Sequence, residues 1–234
     1  MSSLFIALSI LGVGLDIVWV FLLFRGPFRR YPLLLVYGLA MLATTSLEFA
    51  VVRWWPNNSA LFREVYWSDE IILYLLLFPT LVSLVYRTLE ESPLRASMGR
   101  VMMVIFVAIV ALPFLVFHLP IETLHKWTPA WGAWFNGASQ ILDFGGAVMT
   151  LVLWTALLVA KRRDPQLLTL SLGLGITLTG QALAQGLRHF IHTNRWTPDM
   201  LHDLANIAGM FILCLALWPK SKTLKPSARA VANP

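Results

Sequence analysis

Seven long apolar runs follow one another along the chain with only short polar breaks between them. They cover residues 4–24, 32–52, 68–87, 101–118, 137–160, 166–189 and 199–218. A helix needs about 20 apolar residues to cross roughly 30 Å of hydrocarbon, so each run predicts one membrane span. Seven spans and their connections use nearly all of the 234 residues, which leaves no length for a large extramembrane domain. Composition agrees. Hydrophobic residues make up 58% of the chain and charged residues 13%, against about a quarter charged in soluble domains. The mean hydropathy of +0.70 excludes an ordinary soluble fold. The expected fold class is all-α: a polytopic membrane protein with a seven-transmembrane-helix bundle. It forms one domain over 1–219, followed by a short basic tail over 220–234.

The breaks carry turn chemistry: Arg25-Gly26-Pro27, Pro56-Asn57-Asn58, Glu91-Ser92-Pro93, Thr128-Pro129 and Asp164-Pro165. Asp164 before Pro165, and Thr197 before Pro198, each set a capping residue ahead of a proline at the first helical position. Pro79 and Pro113 fall inside spans three and four, where a kink is expected. The N-terminal Met-Ser-Ser-Leu has no basic n-region, so it reads as the start of the first span rather than a signal peptide.

Lysine and arginine set the orientation. Arg25, Arg29, Arg30, Arg87, Arg95, Arg100, Lys161, Arg162, Arg163, Lys220, Lys222, Lys225 and Arg229 lie on one set of connections. Only Arg53, Arg63, Lys126, Arg188 and Arg195 lie on the other. The positive-inside rule puts the first set in the cytoplasm, with the N-terminus outside and the C-terminus cytoplasmic. Trp54, Trp55, Trp67, Trp127, Trp131, Trp134 and Trp196 then form an outer aromatic belt. Asn57-Asn58-Ser59 matches a glycosylation sequon on that side. The formal charge of +6 is spread beside the spans rather than gathered on one polar face, so no nucleic-acid partner is expected. The single cysteine, Cys214, lies in an apolar run and excludes an intrachain disulfide or thiolate cluster.

Polar residues inside the spans are the functional clues, because such groups are costly in lipid and face the bundle interior. Span six carries Thr177, Gln181, Gln185, Arg188 or His189, and His192 at steps of three and four, on one helical face. Span five repeats the pattern with Asn136, Gln140, Asp143 and Thr150. Span seven opens with Asp199, His202, Asp203 and Asn206. Span two ends with Thr44, Thr45, Glu48 and Arg53, and span three begins Ser68, Asp69, Glu70, with Tyr74 a turn further on. Nearly all lie in the outer half, while the inner halves are mostly Leu, Val, Ala and Phe. A pore wants polar lining along its whole length, so the pattern predicts an outward-facing polar cup. Glu48, Gln140, Asp143, Gln181, Gln185, Asp203 and Asn206 are its expected ligand-binding residues. Asp69 and Glu70 also fit a plainer role as first-turn acids at a helix N-terminus. Asp16 stands apart near the middle of span one and reads as a polar lock or a proton site.

His189 and His192 are three residues apart, and His202 follows a short outer loop. With Asp143 or Asp203 as an oxygen ligand, this trio would hold zinc or another divalent metal. A histidine pair bracketing a haem is the less favoured option, and interfacial histidines need no cofactor at all. His118 and His125, near the loop after the fourth span, are expected to contact water.

Seven spans with the N-terminus outside match the topology of rhodopsins and G-protein-coupled receptors. A retinal protein needs a Schiff-base lysine in its seventh span, and Leu201–Trp218 holds none, so no retinal is expected. Ceramidase and adiponectin-receptor hydrolases also pair seven spans with histidine-bound zinc. His189, His192 and His202 echo their late histidines, but span two lacks their histidine. The elements Tyr31-Pro32-Leu33 with Tyr37, Tyr66-Trp67, and Arg87 followed by Glu90 resemble those of uncharacterised bacterial seven-span inner-membrane proteins. The resemblance covers about the first 100 residues and implies a bacterial inner (cytoplasmic) membrane origin, without an activity.

The expected function is a membrane protein whose cup binds a small ligand or metal, acting as a sensor or as a subunit of an assembly. Its partners are the lipid bilayer and a membrane or cytoplasmic protein. The alternatives are a zinc-dependent membrane hydrolase, with Asp143 or Glu48 as general base, and a small-solute transporter. The sequence leaves open whether the chain is an enzyme.

Overall fold

A computed structural model describes residues 3–26, 29–55, 59–117, 129–160, 164–190 and 196–218. Among these residues there are seven α-helices and no strand. They are α1 (Ser3–Arg25), α2 (Pro32–Trp54), α3 (Ser59–Thr88), α4 (Arg95–Val116), α5 (Pro129–Val159), α6 (Pro165–Phe190) and α7 (Trp196–Leu217). Among the described residues, six helices, α2 to α7, are long and apolar enough to cross a membrane. Their outward faces present Phe49, Leu115, Leu151 and Leu158, each more than half exposed. A water-soluble monomer does not expose apolar surface on this scale. The chain is a polytopic helical membrane protein.

Helix pairing explains how polar groups from distant segments meet. Each of α1–α2, α2–α3, α3–α5, α5–α6, α6–α7 and α7–α1 is a packed pair, which closes a six-helix ring. α4 lies outside the ring against α3 and α5, and only Gly99, Met102 and Pro113 are buried along it. Trp19, Phe78, Leu81, Met149, Leu153 and Leu170 are among the side chains filling the ring. Without a hydrophobic force between helices in lipid, association rests on close van der Waals packing, which small residues permit. The α6–α7 pair shows this. A Cβ added at Gly173 would fall 2.9 Å from the Gly209 carbonyl oxygen, and one at Gly209 would fall 2.8 Å from the Gly173 carbonyl oxygen.

Three helix starts differ from the hydropathy pattern by six residues or more. α3 begins at Ser59, not 68, α4 at Arg95, not 101, and α5 at Pro129, not 137. These helices extend beyond the apolar run through polar and aromatic residues that lower hydropathy without breaking the helix. Asp69 and Glu70 therefore lie almost three turns inside α3 and are not first-turn acids. At the start of α6, the cap forms as expected: the Gln166 amide donates to Asp164 Oδ1 at 2.9 Å. α7 starts earlier, at Trp196, so Pro198 is its third residue. Pro79 and Pro113 do lie within α3 and α4. Beside Pro79, the Thr80 hydroxyl lies 2.8 Å from the Leu76 carbonyl and 3.3 Å from that of Leu33. The Asn57-Asn58 pair, His118, His125, Lys161–Arg163 and the basic tail lie outside the described residues.

Candidate functional site

Two cavities occupy opposite ends of the bundle. The first lies inside the ring, in the half where α2 ends and α3, α5 and α7 begin. Its volume is about 200 Å³, and five helices line it. α1 contributes Asp16. α2 adds Tyr37, Thr44, Thr45 and Glu48, and α3 adds Tyr66, Asp69, Glu70 and Tyr74. Thr177 and Gln181 come from α6, and His202 and Asn206 from α7. Leu77, Leu174, Met210 and Leu213 belong to the apolar part of the wall.

Four carboxyl groups line this small space. Those of Glu48 and Asp69 come within hydrogen-bonding reach of each other across the α2–α3 seam. Glu70 accepts a hydrogen bond from the Ser139 hydroxyl of α5 at 2.6 Å, while its other oxygen is buried without a partner. Asp16 is 6% exposed, and its Oδ1 has no partner. The Thr177 hydroxyl is likewise buried and unpartnered. Buried polar groups are normally hydrogen-bonded, so three unpartnered oxygens on residues of one cavity wall call for partners that the neighbouring side chains do not supply.

Behind this wall sits Asp143, 1% exposed, between α3 and α5. It accepts a hydrogen bond from the Tyr74 hydroxyl, and Gln185 stands beside it. Arg188 adds positive potential toward Glu70, Tyr66 and Asp143. Together, Tyr74–Asp143 and Ser139–Glu70 are two polar ties between α3 and α5.

Of the residues expected in the cup, Glu48, Gln181 and Asn206 line the cavity. Asp143 and Gln185 are buried behind it, and Gln140 and Asp203 are not in its lining. The surprise is Asp16, which shares the cavity although the sequence set it apart. Tyr37 and Tyr66 also line it, and nothing in their spacing marked them. His202 is in the lining, whereas His192 and the side chain of His189 lie outside the described residues. Among the described residues, no group of three or more His, Cys, Asp or Glu side chains is arranged to hold a metal ion. Above the cavity, Tyr66, Trp67, Phe135 and Trp131 form a chain of ring contacts with centroids 5.4–6.3 Å apart. Such rings suit the membrane–water interface.

The second cavity, about 670 Å³, opens at the other end, where α3 and α5 finish and α2 and α6 begin. Arg30 and Asp164 form an ion pair there at 2.5 Å, joining the start of α2 to the cap of α6. The Tyr31 ring is 3% exposed and has Arg30 and Arg87 guanidinium carbons 5.5 and 5.2 Å from its centroid. Burial pushes the Tyr31 hydroxyl above the usual phenol range; Arg30 and Arg87 oppose that shift, and Asp164 adds to it. At neutral pH it is a proton donor.

No family model matches this sequence, and neither a curated protein nor a solved structure matches it.

Proposed function

We propose that the chain is a seven-span membrane protein of a bacterial inner membrane, with its N-terminus outside and its C-terminus in the cytoplasm. Its acidic cavity opens outward and binds a small cation, and the protein acts as a sensor or as a subunit of a membrane assembly. α1, with 23 residues, is the seventh span in this reading. One observation carries it: four carboxyl groups converge on a cavity that no Lys or Arg lines among the described residues. Carboxyls crowded in a low-dielectric site share protons or hold a cation, because adjacent like charges cannot all persist unbalanced. A volume of about 200 Å³ equals about six or seven waters at liquid density. That admits a partly hydrated metal ion or a small alkylammonium. The apolar residues Leu77, Leu174, Met210 and Leu213 favour a closed cup over a transport path.

A divalent metal is the second reading, favoured by His202 standing among carboxyl and amide oxygens, with a zinc-dependent hydrolase as its catalytic form. Both are tested by titrating the purified protein calorimetrically with methylammonium and with Mn²⁺. The expected result is saturable binding of one probe, weakened at least about tenfold in Glu48→Gln/Asp69→Asn, as for loss of close charge partners. Undiminished binding in that variant, or none to either probe in the parent, overturns the cation reading. Stoichiometric zinc in the purified protein would select the metal form.

A further inference from the structure

The arginine-lined cavity has no part in that reading, yet it carries the marks of a built site. Tyr31 lines it, is almost completely buried, and has a hydroxyl without a hydrogen-bond partner. Such a group in a native fold calls for a missing partner. Arg87 lines the cavity too, and among the described residues it makes no ion pair; its contact is with the face of the Tyr31 ring. Arg30 stands on the same ring and is pinned by Asp164. The Ser92 hydroxyl accepts from the Leu94 amide at 3.3 Å, which leaves its own proton to donate. Arg30, Arg87, Tyr31 and Ser92 therefore line one open volume, with Leu157 and Leu167 in its apolar wall and the Tyr31 hydroxyl buried at its edge.

We infer that this cavity binds a phosphate group, carried either by an anionic phospholipid headgroup or by a soluble phosphate compound. Guanidinium forks match phosphate oxygens in charge and geometry, and the Tyr31 and Ser92 hydroxyls supply neutral donors to the remaining oxygens. A carboxylate offers only two oxygens to four donors, so a tetrahedral oxyanion fits better. Glu90, Glu91 and Asp164 also border the cavity. Asp164 is paired with Arg30, so Arg87 supplies the charge for the anion and Arg30 only its remaining N–H donors; Glu90 and Glu91 are exposed, where water screens them. The exposed border also gives a ligand its way in. Where the ligand is a lipid, Leu157 and Leu167 lie beside the first part of its chain.

The test uses the full-length protein stripped of lipid in neutral detergent. Inorganic phosphate and dioctanoyl phosphatidylglycerol are titrated separately by calorimetry, with dioctanoyl phosphatidylcholine as a zwitterionic control. Saturable binding of at least one of the first two probes is expected. Tyr31→Phe keeps the ring between the guanidinium groups and should weaken binding about fivefold, as for one lost hydrogen bond. Arg87→Gln should weaken it about tenfold or more, as for a lost charged partner. Glu48→Gln, in the other cavity, should leave it unchanged. Binding of phosphate alone identifies a soluble ligand, and binding of phosphatidylglycerol alone identifies a lipid headgroup. Tyr31→Phe keeps the test decisive should Arg87→Gln fail to fold. The inference is overturned if neither anionic probe binds, if phosphatidylcholine binds equally well, or if binding survives Tyr31→Phe and any folded Arg87→Gln undiminished.

Discussion

The two ends of the bundle handle charge in opposite ways. At the acidic end, carboxyl groups lie deep inside a ring of apolar helices, and their partners are mostly hydroxyls and one another. At the arginine end, the charges sit at the mouth, and the Arg30–Asp164 ion pair there has side chains 53% and 27% exposed. A charge deep in a low-dielectric wall is expensive unless paired, whereas an ion pair in contact with water is worth little. The same kind of deletion should therefore cost much more at one end than at the other. The ends also face different media if the proposed orientation holds, the acidic cavity facing outward and the arginine cavity facing the cytoplasm.

Orientation gives the all-or-none test of that contrast. Arg63→Cys, near the start of α3, should react with an impermeant thiol reagent applied to intact cells. Arg95→Cys, at the start of α4, should react only after the membrane is opened; Cys214 is buried and serves as the unlabelled background. The reverse pattern would turn the acidic cavity toward the cytoplasm and exchange the roles of the two ends.

The second effect is energetic. Tyr74→Phe removes the hydroxyl that bonds Asp143 and leaves a buried carboxyl without that donor. A loss of about 1–3 kcal/mol in stability is expected, read as a lower midpoint in denaturant unfolding in detergent micelles. A neutral result would mean that Asp143 is satisfied in some other way and that α3 and α5 do not depend on this tie.

Smallest of all should be Asp164→Ala. The screened ion pair contributes about 0–1 kcal/mol, and the lost cap of α6 about another 1 kcal/mol. A double-mutant cycle with Arg30→Gln isolates the pair from the cap. Coupling well above 1 kcal/mol would show that the arginine end is as sheltered as the acidic end, and the contrast would fail.

Much of the fold was legible because lipid imposes a simple rule on sequence. The starts of α2 and α6, and the ends of α3 and α5, fall within two residues of the apolar runs. The starts of α3, α4 and α5 did not, since hydropathy reports contact with hydrocarbon and these helices extend beyond it. That one error changed the meaning of Asp69 and Glu70, moving them from a helix N-terminus to a cavity wall. The periodic stripe on α6 correctly placed Thr177 and Gln181 together, because residues three and four apart share a helical face. No periodicity links Asp16 to Glu48, however. Their meeting depends on α1 packing against both α2 and α7, which is a property of the closed ring and not of any single segment. Tyr31 stood out in the sequence only as part of a family resemblance, and its place beside a cavity was not legible for the same reason: its setting is made by Arg87, 56 residues further along the chain.

The most direct measurement on the acidic cavity is carboxyl modification in sealed, right-side-out vesicles. The vesicles are treated from outside with a membrane-impermeant carbodiimide and an amine nucleophile, with and without the cation found by titration, and modified residues are then identified by mass spectrometry. An outward-open cation site predicts modification at Glu48, Asp69 or Glu70, with protection by the cation and none at the exposed control Glu64. Modification of these three only from the cytoplasmic side, or external modification that the cation leaves unchanged, would contradict it.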